Sequence, residues 1–220
     1  MDNILDKIEK ETKRVFFNEA SGHDFYHLER VMNLAQTLQK KEGGDLEIIS
    51  VSALVHDLHR LMQGSGRYFQ PKDSLPKVRE ILQAAGLPEE KIEKVLHCVE
   101  FHEEYPFSIH GQTVKDIETL VLQDADRLDA IGAMGIARAF AFGGTHNVPI
   151  WDPELPLPGA NAKYDETKES DPSEIHHFYS KLLRLKDNMN TKTGKKMAAS
   201  RHKFMEFYLK EFFKEWSGKI

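Results

Sequence analysis

A single cysteine, Cys98, is all that this chain of 220 residues contains. No internal disulfide can form, which fits a reducing compartment. Long apolar runs are missing as well: nothing approaches the roughly 20 residues that cross a bilayer as a helix. The N-terminus, MDNILDKIEKETKR, lacks the basic stretch and apolar stretch of a secretory leader. A soluble, cytoplasmic protein with no membrane partner is the expectation. Excess positive charge is also absent. The formal net charge of −5 argues against a broad electrostatic footprint on nucleic acid, while leaving room for a local basic pocket. Strand signals are scarce, with no β-branched run of period two and no Asn-Gly hairpin. What remains is 40% hydrophobic and 30% charged, an ordinary globular balance in a chain long enough to bury a core.

Apolar residues recur instead at helical spacing. Ile4, Ile8, Val15 and Phe16 mark a first helix; Leu28, Val31, Leu34, Ala35 and Leu38 mark a second, closed by Gly43-Gly44. The run from Leu46 to Leu58 reads as a short buried helix. Periodic segments follow at about 75–85, 89–101, 114–127 and 130–142, and the chain ends in helices at about 173–189 and 193–217. The expected fold is all-α, a single domain with a core at about 20–142 and extra C-terminal helices. Two segments interrupt the pattern. Gln63–Ser74 is rich in Gly and polar residues, and Gly143–Pro172 holds Pro149, Pro153, Pro156, Pro158 and Pro172. Loops of this length serve as lids or mobile segments about as often as solvated surface.

Eleven histidines are unevenly placed. His56-Asp57 closes an apolar run, SVSALVHDLHR. An imidazole and a carboxylate at a buried helix end need partners, because burying unpaired polar groups is costly. A metal ion supplies one; an exposed polar helix terminus is the plain alternative. Upstream, in Gly22–Val31 (GHDFYHLERV), the spacing sets His23, His27 and Arg30 on one helix face. Downstream, Asp124, Asp126 and Asp129 close another apolar run in DADRLDAIG. Jointly these give His, His-Asp and Asp on three helices that a bundle can bring together. Neutral imidazole with carboxylate suits Mn, Fe, Zn or Ni.

The pattern His27…His56-Asp57…Asp126 resembles the HD-domain phosphohydrolase superfamily. The two flanking segments, and His177–Met205 (HFYSKLLRLKDNMNTKTGKKMAASRHKFM), resemble its small bacterial branch that includes nucleotide pyrophosphohydrolases. The likeness spans nearly the whole chain. It implies an HD-domain helical bundle in which His27, His56, Asp57 and Asp126 bind one divalent metal, Mn by expectation, with Mg, Co, Ni, Fe or Zn as alternatives. It implies hydrolysis of (deoxy)nucleoside triphosphates to monophosphate and pyrophosphate. Rival readings are a nucleoside 5′-monophosphate phosphatase, an alarmone pyrophosphohydrolase and a non-catalytic nucleotide-binding module. The cyclic-dinucleotide branch is disfavoured, since no GYP follows an HD pair.

Around the metal set, Asp57 is expected to orient or deprotonate water, Arg30 to contact phosphate, and His102 to contact substrate or protonate the leaving group. His23, Asp129, Lys186 and Arg201 are expected to bind substrate, Asp129 alternatively to orient a ligand. Of the lysines on the 173–189 helix, five residues apart and so not sharing a face, one is expected to reach the cleft, and Lys186 is preferred to Lys181 as the nearer to the Asn188–Thr191 turn. Asp24 fits either a histidine partner or a helix cap. His59 fits either a site neighbour or a solvent-facing group. Phe204, Phe207, Tyr208, Phe212 and Trp216 form a stripe suited to the core or to a homodimer contact.

Overall fold

The structure is a computed structural model that describes residues 3–62, 69–109, 112–159, 161–165 and 170–219. Part of the Gln63–Ser74 segment, and residues 160 and 166–169 of the long proline-rich segment, therefore lie outside the described residues. The helices are α1 (Ile4–Val15), α2 (Phe25–Glu42), α3 (Leu46–Val55), α4 (Leu75–Ala85), α5 (Glu89–Phe101), α6 (Ile117–Asp129), α7 (Gly132–His146), α8 (Glu174–Ser180) and α9 (Lys192–Trp216). Among the described residues there is no strand, only one isolated bridge between Ser108 and Tyr164. The fold is all-α, as the periodicity indicates. No described helix is long and apolar enough to cross a membrane.

Side-chain caps set several helix starts. Asp24, Asp45, Asp116, Ser173 and Thr191 each accept a backbone N–H in the first turn of α2, α3, α6, α8 and α9. Asp24 is thus a cap, and it places His27 in the first turn of α2, with His23 just before the helix rather than on its face. Helix α3 is buried on every side from Ile48 to Val55, between α2 and α5. That explains its weak amphipathicity: a helix enclosed all round has no polar face to show. Helix α2 packs against both α3 and α6, and this trio carries the residues of the HD pattern.

Two helices end in the same way. At His56 after α3, and at His102 after α5, the ring Nδ1 donates to the carbonyl three residues back, Ala53 O at 2.9 Å and Val99 O at 2.7 Å. These side chains satisfy terminal carbonyls that a further helical turn would have used. The α-helix therefore stops at Val55, short of the expected Leu58, and the chain continues as a 3-10 turn, Leu58–Met62. The expected helix at 173–189 also splits. Lys181 has φ −130° and ψ −62°, and beyond it Leu182–Asn188 is a 3-10 stretch.

The C-terminal helix α9 packs on α7, α6 and α2. Ala198, His202, Met205 and Leu209 face inward, while Phe204, Phe207 and Trp216 are exposed and Tyr208 stacks on Phe178. The aromatic stripe is thus divided between core and surface. Gly132 has φ +79°, and a Cβ there would meet Arg201 Cβ at 3.0 Å, so a glycine permits both the turn into α7 and the approach of α9.

Candidate metal centre and cavity

Three imidazoles converge at the ends of α2, α3 and α5. Each is anchored through Nδ1: His56 and His102 on the carbonyls named above, His27 on Asp129 Oδ2 at 2.8 Å. Carbonyl oxygens only accept, so His56 and His102 carry their neutral-state proton on Nδ1 and turn an Nε2 lone pair inward. All three rings are essentially inaccessible to solvent. His27 Nε2 and His56 Nε2 lie 3.2 Å apart. Asp57 Oδ2 lies 3.2 Å from His27 Nε2, and Asp57 Oδ1 lies 3.6 Å from both His56 Nε2 and His102 Nε2. Asp126 Oδ1 lies 3.5 Å from His27 Nε2 and 3.9 Å from His56 Nε2.

The electrostatics call for a cation. Burial pushes the His56 imidazole down to about 4, so it is neutral at physiological pH. Burial pushes the Asp57 carboxyl up, but the surrounding histidines, His56 foremost, hold it well below the usual carboxylate range. Burial and Arg138 lower the His27 pKa, yet Asp129 and Asp57 outweigh them and raise it. The carboxylates thus draw positive charge to His27, which a proton or a metal can supply. Asp57 Oδ2 and His102 Nε2 are buried without hydrogen-bond partners among the described residues.

The donor set fits a divalent metal. An ion about 2.1 Å from each ligand separates neighbouring ligands by roughly 3.0 Å in octahedral and 3.4 Å in tetrahedral geometry. The 3.2–3.9 Å distances that separate the His27 and His56 Nε2 atoms from each other and from Asp57 and Asp126 match that after small adjustment, and His27, His56 and Asp57 offer donors within 4.8 Å of one another. Asp57 also belongs to a second group of three buried donors with His59 and His102. His59, 3.3 Å from Glu103, is buried rather than solvent-facing.

Asp129 is the most heavily bonded carboxylate beside the centre. It takes His27 Nδ1, two bonds from Arg30 at 2.9 and 3.1 Å, and Arg138 at 3.3 Å. Burial would raise its pKa, but the His27 and Arg30 hydrogen bonds and the Arg138 charge hold it well below the usual carboxylate range. Arg30 is therefore occupied, and it lines a shallow surface depression with Arg201 instead of facing the centre. Arg201 donates to Leu128 O.

Asp57 and Asp126 form part of the wall of a cavity of about 300 Å³. Arg60, Glu103, Tyr105, Arg138 and Phe142 of α7, His177 and Lys181 also line it. His23 also lines it, with its ring 5.8 Å from that of His27. Pro158, Ala162, Lys163, Tyr164 and Asp165 of the segment after α7 line the cavity too. Tyr164 is tied to 107–109 by two backbone bonds, Ile109 N to Tyr164 O and Tyr164 N to Phe107 O, and Ala162 O accepts from Arg184.

Two cations that spacing did not favour reach this space. Lys181 sits over the Tyr105 and Tyr164 rings, at 4.8 and 5.6 Å from their centres, with no ion pair among the described residues. Burial lowers its pKa. Arg138 enters from α7 with its Nε on Gly22 O. Lys186, the lysine favoured by spacing, lies 3.5 Å from the carboxylate of neighbouring Asp187 and does not line the cavity. The helix breaks at Lys181, and nearness to the Asn188–Thr191 turn does not bring Lys186 into the cavity.

Comparison with known proteins adds a family and several structures. Residues 24–131 match the family model for the HD domain. The Bacillus subtilis (strain 168) protein YpgQ is 36% identical over 207 residues, covering 93% of this chain and 89% of YpgQ. The crystal structure of YpgQ in complex with ADP matches with a TM-score of 0.73 at 34% identity, over 96% of this chain and 94% of the other. A Lactobacillus plantarum structure matches with a TM-score of 0.84 at 32% identity, over 98% and 97%. An HD-superfamily hydrolase from Bacillus thuringiensis matches with a TM-score of 0.69 at 36% identity, over 97% and 96%.

Proposed function

This chain belongs to the HD domain family, and from that premise we propose that it is a metal-dependent phosphohydrolase acting on nucleotides. In this reading it cleaves a nucleoside triphosphate to monophosphate and pyrophosphate. The observation that carries the reading is the convergence of three Nδ1-anchored imidazoles with Asp57 and Asp126 at the wall of a cavity that also holds Arg60, Arg138 and Lys181. The ADP complex of the related YpgQ supports a nucleotide as the occupant.

His27, His56, Asp57 and Asp126 would hold the metal, and Mn suits a mixed imidazole and carboxylate set. What a divalent metal supplies in such a place is charge neutralisation at phosphoryl oxygens and a more acidic water. The chain's own residues do the rest. Asp57, whose Oδ2 lacks a hydrogen-bond partner, takes the proton of the attacking water. His102, where burial lowers the pKa but Asp57 and Glu103 outweigh it, starts in its charged form and gives its Nε2 proton, 3.6 Å from Asp57, to the departing phosphate oxygen. Lys181, Arg138 and Arg60 offset phosphate charge, the main requirement of phosphoryl transfer. Water attacks phosphorus, the bond to the bridging oxygen breaks, and pyrophosphate leaves with that oxygen. His23 is placed to contact the chain of phosphates from the α2 side.

The test is metal-free protein reloaded with Mn, Mg, Co, Ni or Zn, with phosphate and pyrophosphate measured separately from nucleoside mono-, di- and triphosphates. Equal release of monophosphate and pyrophosphate from triphosphates is expected. Free phosphate from triphosphates would overturn the bond assignment, and activity confined to monophosphates would favour a 5′-phosphatase.

Asp129 acts here as the positioning partner of His27. Asp129→Asn should weaken Mn binding about 10- to 100-fold, read by competition with a metal indicator. Unchanged affinity would remove Asp129 from the metal centre's support.

A further inference from the structure

Glu174, at the start of α8, lines the same cavity as Lys181, the residue that follows the helix. It is 4% exposed and lines the cavity, and its carboxyl has no hydrogen bond or ion pair among the described residues. Its placement is firm. Its backbone N–H donates to Pro149 O at 3.0 Å, and the next residue's donates to Ile150 O at 3.0 Å. The carboxyl rests against α7 at Gly143, where a Cβ would come within 2.5 Å of Oε1. The absence of a side chain at Gly143 is what makes room for it. The neighbouring polar groups are already committed, since Asp171 accepts from both His177 Nδ1 and Ser180 Oγ.

We propose that Glu174 is a specificity-determining residue that reads the hydrogen-bonding edge of the substrate's nucleobase. The inference rests on the nucleotide reading above. Along the helix axis Glu174 and Lys181 are separated by roughly 10 Å, seven residues at 1.5 Å each. A nucleotide whose phosphates lie at Lys181 and the metal centre would reach along α8 with its base toward Glu174. Phe142, which precedes Gly143, also lines the cavity, with its ring stacked on His146 and edge-on to His23. Burial and the Asp171 carboxylate push the Glu174 pKa up to about 8, so the group is largely protonated at neutral pH. A neutral carboxyl presents one donor beside one acceptor. The edge of a nucleobase offers the complementary adjacent pair, and enzymes that enclose a base read it there.

The experiment compares kcat/KM for ATP against purine riboside triphosphate, and for GTP against ITP, with the Mn-loaded protein. Each pair differs by the exocyclic amine that Glu174 would accept from. Wild type should discriminate by about tenfold in at least one pair, the worth of one buried hydrogen bond. Glu174→Leu should bring that ratio close to one, while Glu174→Gln, which keeps an acceptor and a donor, should preserve it. A ratio unchanged in Glu174→Leu, or wild-type ratios of one in both pairs, would overturn the assignment. The second result needs no variant and holds even if Glu174→Leu does not fold. Inorganic tripolyphosphate serves as the wild-type control: its cleavage with no cleavage of any nucleotide would overturn the nucleotide reading itself, and this inference with it.

Discussion

Asp57→Ala should lose more than about a hundredfold in kcat and should no longer retain stoichiometric Mn. The expectation follows from how much one carboxylate does. One oxygen faces His27 Nε2 at 3.2 Å, and the other faces His56 and His102 Nε2 atoms at 3.6 Å each. It is 3% exposed, so no water can substitute for it cheaply. Replacing a residue that merely supports a metal ligand costs 10- to 100-fold, and Asp57 is proposed both to ligate and to take a proton. Metal content by elemental analysis and steady-state rates would be read on the same preparation. A folded Asp57→Ala protein, checked by circular dichroism, that keeps full activity would sink the metal mechanism. Asp57→Asn separates the two duties: it preserves the shape and one acceptor oxygen, so it should retain more metal than the alanine variant while remaining inactive.

The HD pattern was legible because His56-Asp57 and Asp126 follow apolar runs toward the ends of α3 and α6, while His27 stands in the first turn of α2. Such a place forces a polar group to find a partner. The local geometry was partly hidden. Nothing in SVSALVHDLHR announces that His56 folds its Nδ1 back onto Ala53 and so ends α3 three residues early. Helical spacing also set Arg30 beside His27, without showing that Asp129, about a hundred residues on, would claim its guanidinium. Lys181 and Glu174 escaped for a different reason. Their roles depend on where α8 breaks and on the backbone of α7 giving way at Gly143. These are facts of tertiary packing that a single helix's pattern does not encode. The three carboxylates of DADRLDAIG illustrate both sides. Their clustering signalled chemistry, but the helix sends them to three destinations: Asp126 to within 3.5 Å of His27 Nε2, Asp129 to His27 Nδ1, and Asp124 to the turn before α9.

Asp124→Ala should destabilise the protein by about 3–5 kcal/mol. The Asp124 carboxylate is fully buried. It accepts from Asn190 N, Thr191 N and Thr191 Oγ1, each at 2.7 Å. Those contacts hold the turn that starts α9, where Thr191 Oγ1 in turn caps Gly194 N at 2.9 Å. Removing the acceptor leaves the buried Thr191 N–H and the half-buried Asn190 N–H without partners, and each buried loss costs on the order of 1–3 kcal/mol. For a chain of this size the thermal midpoint should fall by roughly 10 °C. Gly194→Ala strikes the same junction from the other side, because its Cβ would lie 2.4 Å from Asp124 Oδ2. Both variants should therefore melt early, and combining them should cost less than the sum of the two, since they break one shared network. Wild-type thermal midpoints in both, or strictly additive losses, would mean that the α6–α9 junction is held by apolar packing instead. Since α9 also supports α7, loosening this turn should reach the cavity wall as well, so a rise in KM should accompany the drop in stability.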